Sequence, residues 1–219
     1  MPIVRPFRFL RCHLALLVFA VGLAGQSTAD PRDLATGRFL IAVRDLPDPN
    51  FAETVILLTD FGEKGAAGLV LTRRTRLTIS DLFEDKAAAR AEDPVWRGGP
   101  VQRSAVLALF RGKTAPEGSQ PVAREIHLLT TRESLERALS EPAGRVKVFL
   151  GYSGWGAGQL EREVELGTWH ILNGDVDAVF AADVSSLWER LARRMERRIA
   201  FAPVGRGESG SNQGATASD

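Results

Sequence analysis

The stretch from Val146 to Leu160 reads V-K-V-F-L-G-Y-S-G-W-G-A-G-Q-L. An apolar, β-favouring run (Val146, Val148, Phe149, Leu150) stops at Gly151, and Gly154, Gly156 and Gly158 follow around Tyr152 and Trp155. Glycine reaches positive φ without steric cost and lets another backbone approach closely. A neighbouring Trp and Tyr argue against a mobile linker. The pattern predicts a strand ending at Gly151, a glycine turn, and a helix opening near Gly158 and Gln159.

Upstream of this stretch, runs rich in β-branched, aromatic and other apolar residues predict strands at Arg38 to Val43, Thr54 to Thr59 and Ala67 to Thr72. The turn from Asp60 to Gly65 is spaced to make an antiparallel hairpin of the last two. Further strands are expected at Ala105 to Phe110, Glu125 to Leu129 and Trp169 to Leu172. Val95 to Val101 reads as a rigid turn and Gly112 to Pro121 as an exposed loop.

Short helices are expected at Thr78 to Phe83, after a Thr130/Glu133 capping box, and after a Ser186/Glu189 capping box. Leu135 and Leu139 mark the buried stripe of the second; Leu187, Leu191 and Met195 mark that of the third. Lys86 to Glu92 fits a helix end or a loop. Phe51, after the Pro47 to Asn50 turn, is expected to plug the core. Strands interleaved with short helices and at least one hairpin give an α+β class with a mixed sheet.

The first 29 residues differ in kind. Arg5, Arg8 and Arg11 precede an uncharged apolar run from Leu14 to Gly25, and Ser27, Thr28 and Ala29 lead into Asp30. This is the layout of a secretory signal peptide cleaved after Ala29. The run is shorter than the ~20 residues a spanning helix needs, so no stable membrane insertion is expected after processing. The division expected is 1–29 signal peptide, 30–202 folded domain and 203–219 disordered tail, the last on its Gly/Ser-rich composition. A periplasmic location follows, with a cytoplasmic one as the alternative if the start codon is mis-called.

The segment carries three arginines and no acid, so 28 Lys+Arg against 27 Asp+Glu becomes 25 against 27 without it, about −2. That balance disfavours nucleic acid as a partner, because phosphate neutralisation drives such binding. The single cysteine, Cys12, falls in the same segment and leaves no disulfide framework in the mature chain.

The motif G-Y-S-G-W-G-A-G-Q-L-E-R-E, with Arg97-Gly98-Gly99-Pro100-Val101 and Gly37-Arg38-Phe39-Leu40-Ile41-Ala42 upstream, resembles the AlgH/YqgE family of bacterial proteins over roughly Gly37 to Met195. The resemblance implies a bent, bifurcated mixed sheet forming a pseudo-barrel with helices packed outside. Members have no established biochemical activity, and some carry the label of transcriptional regulator. In the family the hairpin turn usually carries a Glu-His pair, and the next strand ends in Asn, a basic residue and Pro. Asp60, Phe61, Thr72 and Arg74 stand at those positions here, which lowers any catalytic reading.

No catalytic constellation is expected. Ser153 begins like a nucleophile elbow, but the glycine required two residues on is Trp155. A G-x-G-x-x-G dinucleotide loop starting at Gly154 would need glycine where Gln159 stands. His127 and His170 show no zinc spacing, and no carboxylate pair stands out, so no metal and no cofactor are expected. The candidate binding corner is Gly98, Gly99 and Pro100 against Gly151, Tyr152, Ser153, Gly154, Trp155, Gly156, Gly158 and Gln159, with Trp155 packed under Gly98 to Pro100. Arg190, Arg194 and Arg197 share one helix face and form a candidate docking surface for an acidic partner or a lipid headgroup. The leading expectation is a non-enzymatic exported binding or interaction module, its ligand an unidentified protein or a small anion. A cytoplasmic transcriptional regulator and a hydrolase acting through Ser153 or a carboxylate are the alternatives.

Overall fold

The structure, a computed structural model, describes residues 29–83, 91–142 and 144–200. The signal-peptide reading of 1–29 falls, save for Ala29, outside the described residues. So do residues 86–90 of the Lys86 to Glu92 reading and the tail at 203–219. Among the described residues, no helix is long and apolar enough to cross a membrane.

Among the described residues, ten strands form one bent sheet: β1 (Arg38–Ala42), β2 (Val55–Gly62), β3 (Gly65–Val70), β4 (Arg74–Thr78), β5 (Pro94–Arg97), β6 (Val101–Arg111), β7 (Ser119–Ala123), β8 (Ile126–Leu129), β9 (Val146–Gly156) and β10 (Trp169–Asn173). Helices α1 (Arg132–Ala138), α2 (Gln159–Glu165), α3 (Val176–Phe180) and α4 (Leu187–Ala200) pack outside. The strand order is β10-β1-β2-β3-β9-β6-β8-β7, with β4 paired to β5 and β5 to β9 off this path. All pairs are antiparallel except β5 with β9. The continuous apolar runs of β1 and β2 are buried on both faces, as expected of strands covered on both sides. Leu187, Trp188, Ala192 and Met195 of α4 join the same core as Phe39, Leu40 and Ile41 of β1. The sheet curls so that the backbone of Gly37, beside β1, approaches the Val122 carbonyl of β7.

Several expectations shift. The β2–β3 hairpin forms, but its strands run through the supposed turn to Gly62 and Gly65, leaving two residues at the tip. Val95 to Val101 is not a turn: Pro94–Arg97 is a strand parallel to β9, and β6 begins at Val101 rather than Ala105. The loop expected at Gly112 to Pro121 ends in β7, whose exposed edge gave it a loop-like composition. Thr131, not Thr130, caps α1, accepting from the Ser134 N–H. Strand β4 and helix α3 had no counterpart in the expected set.

The largest correction concerns Gly151. The strand does not stop there; β9 continues to Gly156, with Gly151 at φ 68° in mid-strand. Before Gly151, β9 lies between β5 and β6; after it, β9 pairs with β3. Gly151 is thus the fork at which β9 changes neighbours. Gly98 occupies the crotch, donating to the Leu150 carbonyl at 2.9 Å and accepting from the Val70 N–H at 2.9 Å. A Cβ on Gly98 would stand 2.2 Å from the Gly151 carbonyl oxygen, and one on Gly99 would stand 2.3 Å from the Tyr152 carbonyl. Only chain without side chains passes so close.

One cation lies inside the core. Lys147, on the same face of β9 as the buried Phe149, donates to the Val179 carbonyl of α3 at 3.1 Å and to that of Leu71 at 3.5 Å. Its Nζ sits 3.8 Å from the centroid of the Trp96 ring, a cation–π contact. Burial pushes the amine down to about 7, with the Arg74 charge adding to the effect.

Two predictions follow from this packing. Gly98→Ala is expected to lower unfolding free energy by about 3 kcal/mol, the upper range for overpacking. Gly62→Ala, whose new Cβ meets nothing within 4 Å, should be close to neutral; equal midpoints in urea for the two variants would refute the fork. For Lys147 the folded value near 7 lies below the unfolded value near 10.5. Between these the unfolded chain binds more protons, so Lys147 makes stability rise with pH by up to ~1.4 kcal/mol per unit. Denaturation measured from pH 7 to 10.5 should show that slope, and Lys147→Met should remove it.

Candidate functional site

The fork brings together part of the expected corner. Gly98 and Gly99 lie on the backbone of Gly151, Tyr152 and Ser153, and the buried Ser153 hydroxyl donates to the Gly98 carbonyl at 3.2 Å. Ser153 therefore fixes the fork and is not presented to solvent. Pro100 is half-buried beside it.

Trp155 is not under Gly98 to Pro100. It points to the opposite end of β9, stacked on Phe51 at 6.1 Å and edge-on to Trp169 at 6.3 Å, so Phe51 does fill the core there. The inward residues of a strand alternate, and the residues lying against Gly98 and Gly99 are Gly151 to Ser153. Gly156 and Gln159 belong to the Trp155 end, where the Gln159 side chain accepts from the Gly156 N–H at 3.0 Å. Gly158, at φ 70°, caps the seven-residue α2.

Glu163 organises that end, and the sequence reading passed over it. Its Oε2 accepts both indole N–H groups, from Trp155 and Trp169, each at 2.9 Å, and its Oε1 accepts from Gln159 at 3.0 Å. The carboxylate is buried with three donors, which is how a charge is tolerated inside. The signal was its place on the α2 stripe with Leu160 and Val164, both buried.

The face of the fork that opens to solvent is lined with arginine. Arg97 ends β5 immediately before Gly98, and its N–H donates to the Arg73 carbonyl at 2.8 Å, setting the two residues side by side. Arg74 pairs in register with Trp96, and its guanidinium lies 5.3 Å over the Trp96 ring. These three arginines, with Thr72, line one wall of a cleft of about 490 Å³; Ala52, Glu53, Val184, Ser185 and Trp188 complete it. Arg73 reaches across to the Ala52 carbonyl at 3.0 Å. Thr72 Oγ1 is buried with no hydrogen-bond partner among the described residues. Glu53 holds φ 54°, a backbone region that costs a side-chain-bearing residue about 1–3 kcal/mol and is often found at functional sites. Lys147, bonded to the Leu71 carbonyl next to Thr72 and sharing Trp96 with Arg74, lies under the same wall.

A wider cleft of about 930 Å³ lies at the other end of β6. Its arginines are already answered: Arg111 pairs with Asp177 at 2.8 Å and Arg145 with Glu141 at 2.9 Å. Lys113 also lines it, beside Glu125 and Glu141; the smaller cleft gathers three arginines against the single acid Glu53 and is the better candidate.

The histidines sit apart from both chemistries. His127 is buried with Nε2 2.9 Å from the Gly112 carbonyl oxygen. His170, half-buried on β10, is held below the ordinary imidazole range by burial, against the pull of the Glu196 charge. Among the described residues, no group of three His, Cys, Asp or Glu gathers to hold a metal. Arg190, Arg194 and Arg197 are exposed on α4, as the helical spacing indicated.

The chain resembles known proteins along most of this fold. The AlgH-like family model matches residues 39–200. A UPF0301 protein of Thioalkalivibrio sulfidiphilus is 38% identical over 165 residues, 73% of this chain and 89% of that protein. A UPF0301 protein of Myxococcus xanthus is 36% identical over 182 residues, 80% of this chain and 98% of that one. Among solved structures, the AlgH protein from Pseudomonas aeruginosa superposes with a TM-score of 0.61 at 27% identity, covering 78% of this chain and 95% of that one. Protein DIP2367 from Corynebacterium diphtheriae shares the fold with a TM-score of 0.62 at 21% identity, over 74% and 87% of the two chains. With the forked sheet, the glycine pair in its crotch and these matches together, the chain belongs to the AlgH-like, UPF0301 family.

Proposed function

We propose that this protein is a non-enzymatic, exported binding module that takes an anionic group in the cleft beside the fork. One observation carries the reading: Arg73, Arg74 and Arg97 line one cleft with Thr72, whose buried Oγ1 has no hydrogen-bond partner among the described residues. Guanidinium forks match carboxylate and phosphate oxygens bidentately, and a hydroxyl supplies a further donor. The wall is pre-shaped, because Arg97 and Arg73 are tied by a backbone hydrogen bond and Arg74 is stacked on Trp96. The lining residues include no histidine, cysteine or lysine, which favours capture over turnover. Export rests on the basic and apolar segment ahead of Asp30, and places the partner in the cell envelope.

Pyrophosphate is the simplest probe. A ligand at a hundred times its Kd stabilises by about 2.7 kcal/mol, so saturating pyrophosphate should raise Tm by several degrees in the wild type and by less than one degree in Arg74→Gln/Arg97→Gln. An equal rise in both would remove the cleft from the account. N-terminal sequencing of the protein from the periplasmic fraction of a Gram-negative host should start at Asp30; an intact Met1 in the cytosol would contradict export and favour the regulator reading.

A further inference from the structure

The arginine cleft does not end at its rim. Asp183 lies between it and α4: its carboxylate accepts from the Ser185 N–H at 2.8 Å and feels the positive charge of both Arg74 and Arg190. The cleft residues Val184, Ser185 and Trp188 run straight into α4, where the N–H of Arg190, its first arginine, donates to the Ser186 carbonyl at 3.0 Å.

The two flanks of α4 are unlike. On one, Arg44 from the end of β1 binds Glu189 at 3.0 Å and Glu196 at 2.8 Å, and Arg193 closes on Glu189. That flank is neutralised. Beside it, Arg190, Arg194 and Arg197 run at i, i+4 and i+7 in one exposed stripe, with Arg197 bordering the Arg44 flank and none of the three making an ion pair within 4 Å among the described residues. At 1.5 Å per residue the stripe is about 10 Å long. It continues the cleft: six arginines lie in series, with Glu53 and Asp183 at the cleft end and Glu189 and Glu196 beside Arg197 at the far end.

We propose that this continuous surface docks an extended acidic segment of a partner protein, one carboxylate seated in the cleft and the following ones laid along Arg190, Arg194 and Arg197. The proposal rests on the reading of the cleft as an anion site. Asp183 already holds a carboxylate at the junction, and an extended chain rises about 3.3 Å per residue, so its same-face acids fall within reach of successive arginines. A lipid surface fits less well. Insertion into a bilayer needs apolar anchors beside the basic face, and the large exposed hydrophobics among the described residues, Leu77 and Leu166, neither line the cleft nor lie on α4. Single-stranded nucleic acid needs aromatic platforms for its bases; Trp188 and Trp96 are buried.

The test is fluorescence anisotropy of a labelled (Asp-Glu)5 decapeptide on the purified protein at 150 mM salt, run beside pyrophosphate calorimetry. Arg190→Glu/Arg194→Glu should weaken the decapeptide at least tenfold and leave pyrophosphate unchanged, whereas Arg74→Gln/Arg97→Gln should weaken both. Both variants change exposed side chains, and unchanged thermal melts will verify their folds. A decapeptide indifferent to Arg190→Glu/Arg194→Glu overturns the docking surface while leaving the cleft intact. Failure of the wild type to bind pyrophosphate overturns the cleft reading itself. Tighter binding of a 20-nucleotide single strand, or of phosphatidylglycerol/phosphatidylcholine vesicles, lost in the same variants, replaces the acidic peptide with that partner and also overturns the proposal.

Discussion

The contact between Gly98 and Gly151 sets the rest of the molecule. A sheet that must wrap a core needs its central strand to bend, and β9 bends by changing partner from β5 to β3 at a residue with φ 68°. The crotch of that fork has room for backbone alone. Gly98 satisfies one carbonyl from β9 and one N–H from β3, so neither branch is left with an unpaired polar group where the ladder parts. Everything downstream of the fork on β5 and β4 is then fixed in space, and that is the region carrying Arg97, Arg73 and Arg74.

The placement explains how a chain with nearly balanced charge presents a concentrated positive surface. Several of its other arginines are matched locally: Arg44 by Glu189 and Glu196, Arg111 by Asp177, Arg132 by Glu136 and Arg145 by Glu141. Next to the fork the matching stops. Trp96 carries two cations, Arg74 and Lys147, a cost that burial of Lys147 makes larger and that hydrogen bonds to two carbonyls offset in part. Net charge alone conceals such an arrangement, since it depends on which residues the fold makes neighbours.

Much of the fold was legible in the sequence and the site was legible in pieces. The hairpin of β2 and β3, the apolar runs of β1 and β8, and the α4 stripe of Leu187, Leu191 and Met195 carry plain periodicities. Glycine density at 151–158 signalled tight backbone, but local pattern cannot separate a turn from a strand that bends and goes on; the partner strands decide that. β5 and β7 were hidden because Pro94 and Pro121 sit in them, at a strand's first residue and on a sheet edge, where the ladder does not require their N–H. Gly98 and Gly99 were rightly joined to Gly151 to Ser153, while Trp155 was assigned to the wrong side. Lys147 broke an apolar run and Glu163 interrupted a buried stripe. Both were visible as exceptions, yet only the tertiary neighbours, Trp96 for one and two indoles for the other, say what the exceptions do.

The central claim is that the fork builds an anion site from residues distant in sequence. It is tested most directly by following backbone amide chemical shifts in a 15N–1H spectrum during a pyrophosphate titration. The account predicts saturating shifts confined to Thr72, Arg73, Arg74, Arg97, Gly98 and the Val184 to Trp188 segment. Shifts centred on Arg111, Lys113 and Arg145 at the wider cleft, or no saturable shifts at all, would contradict it.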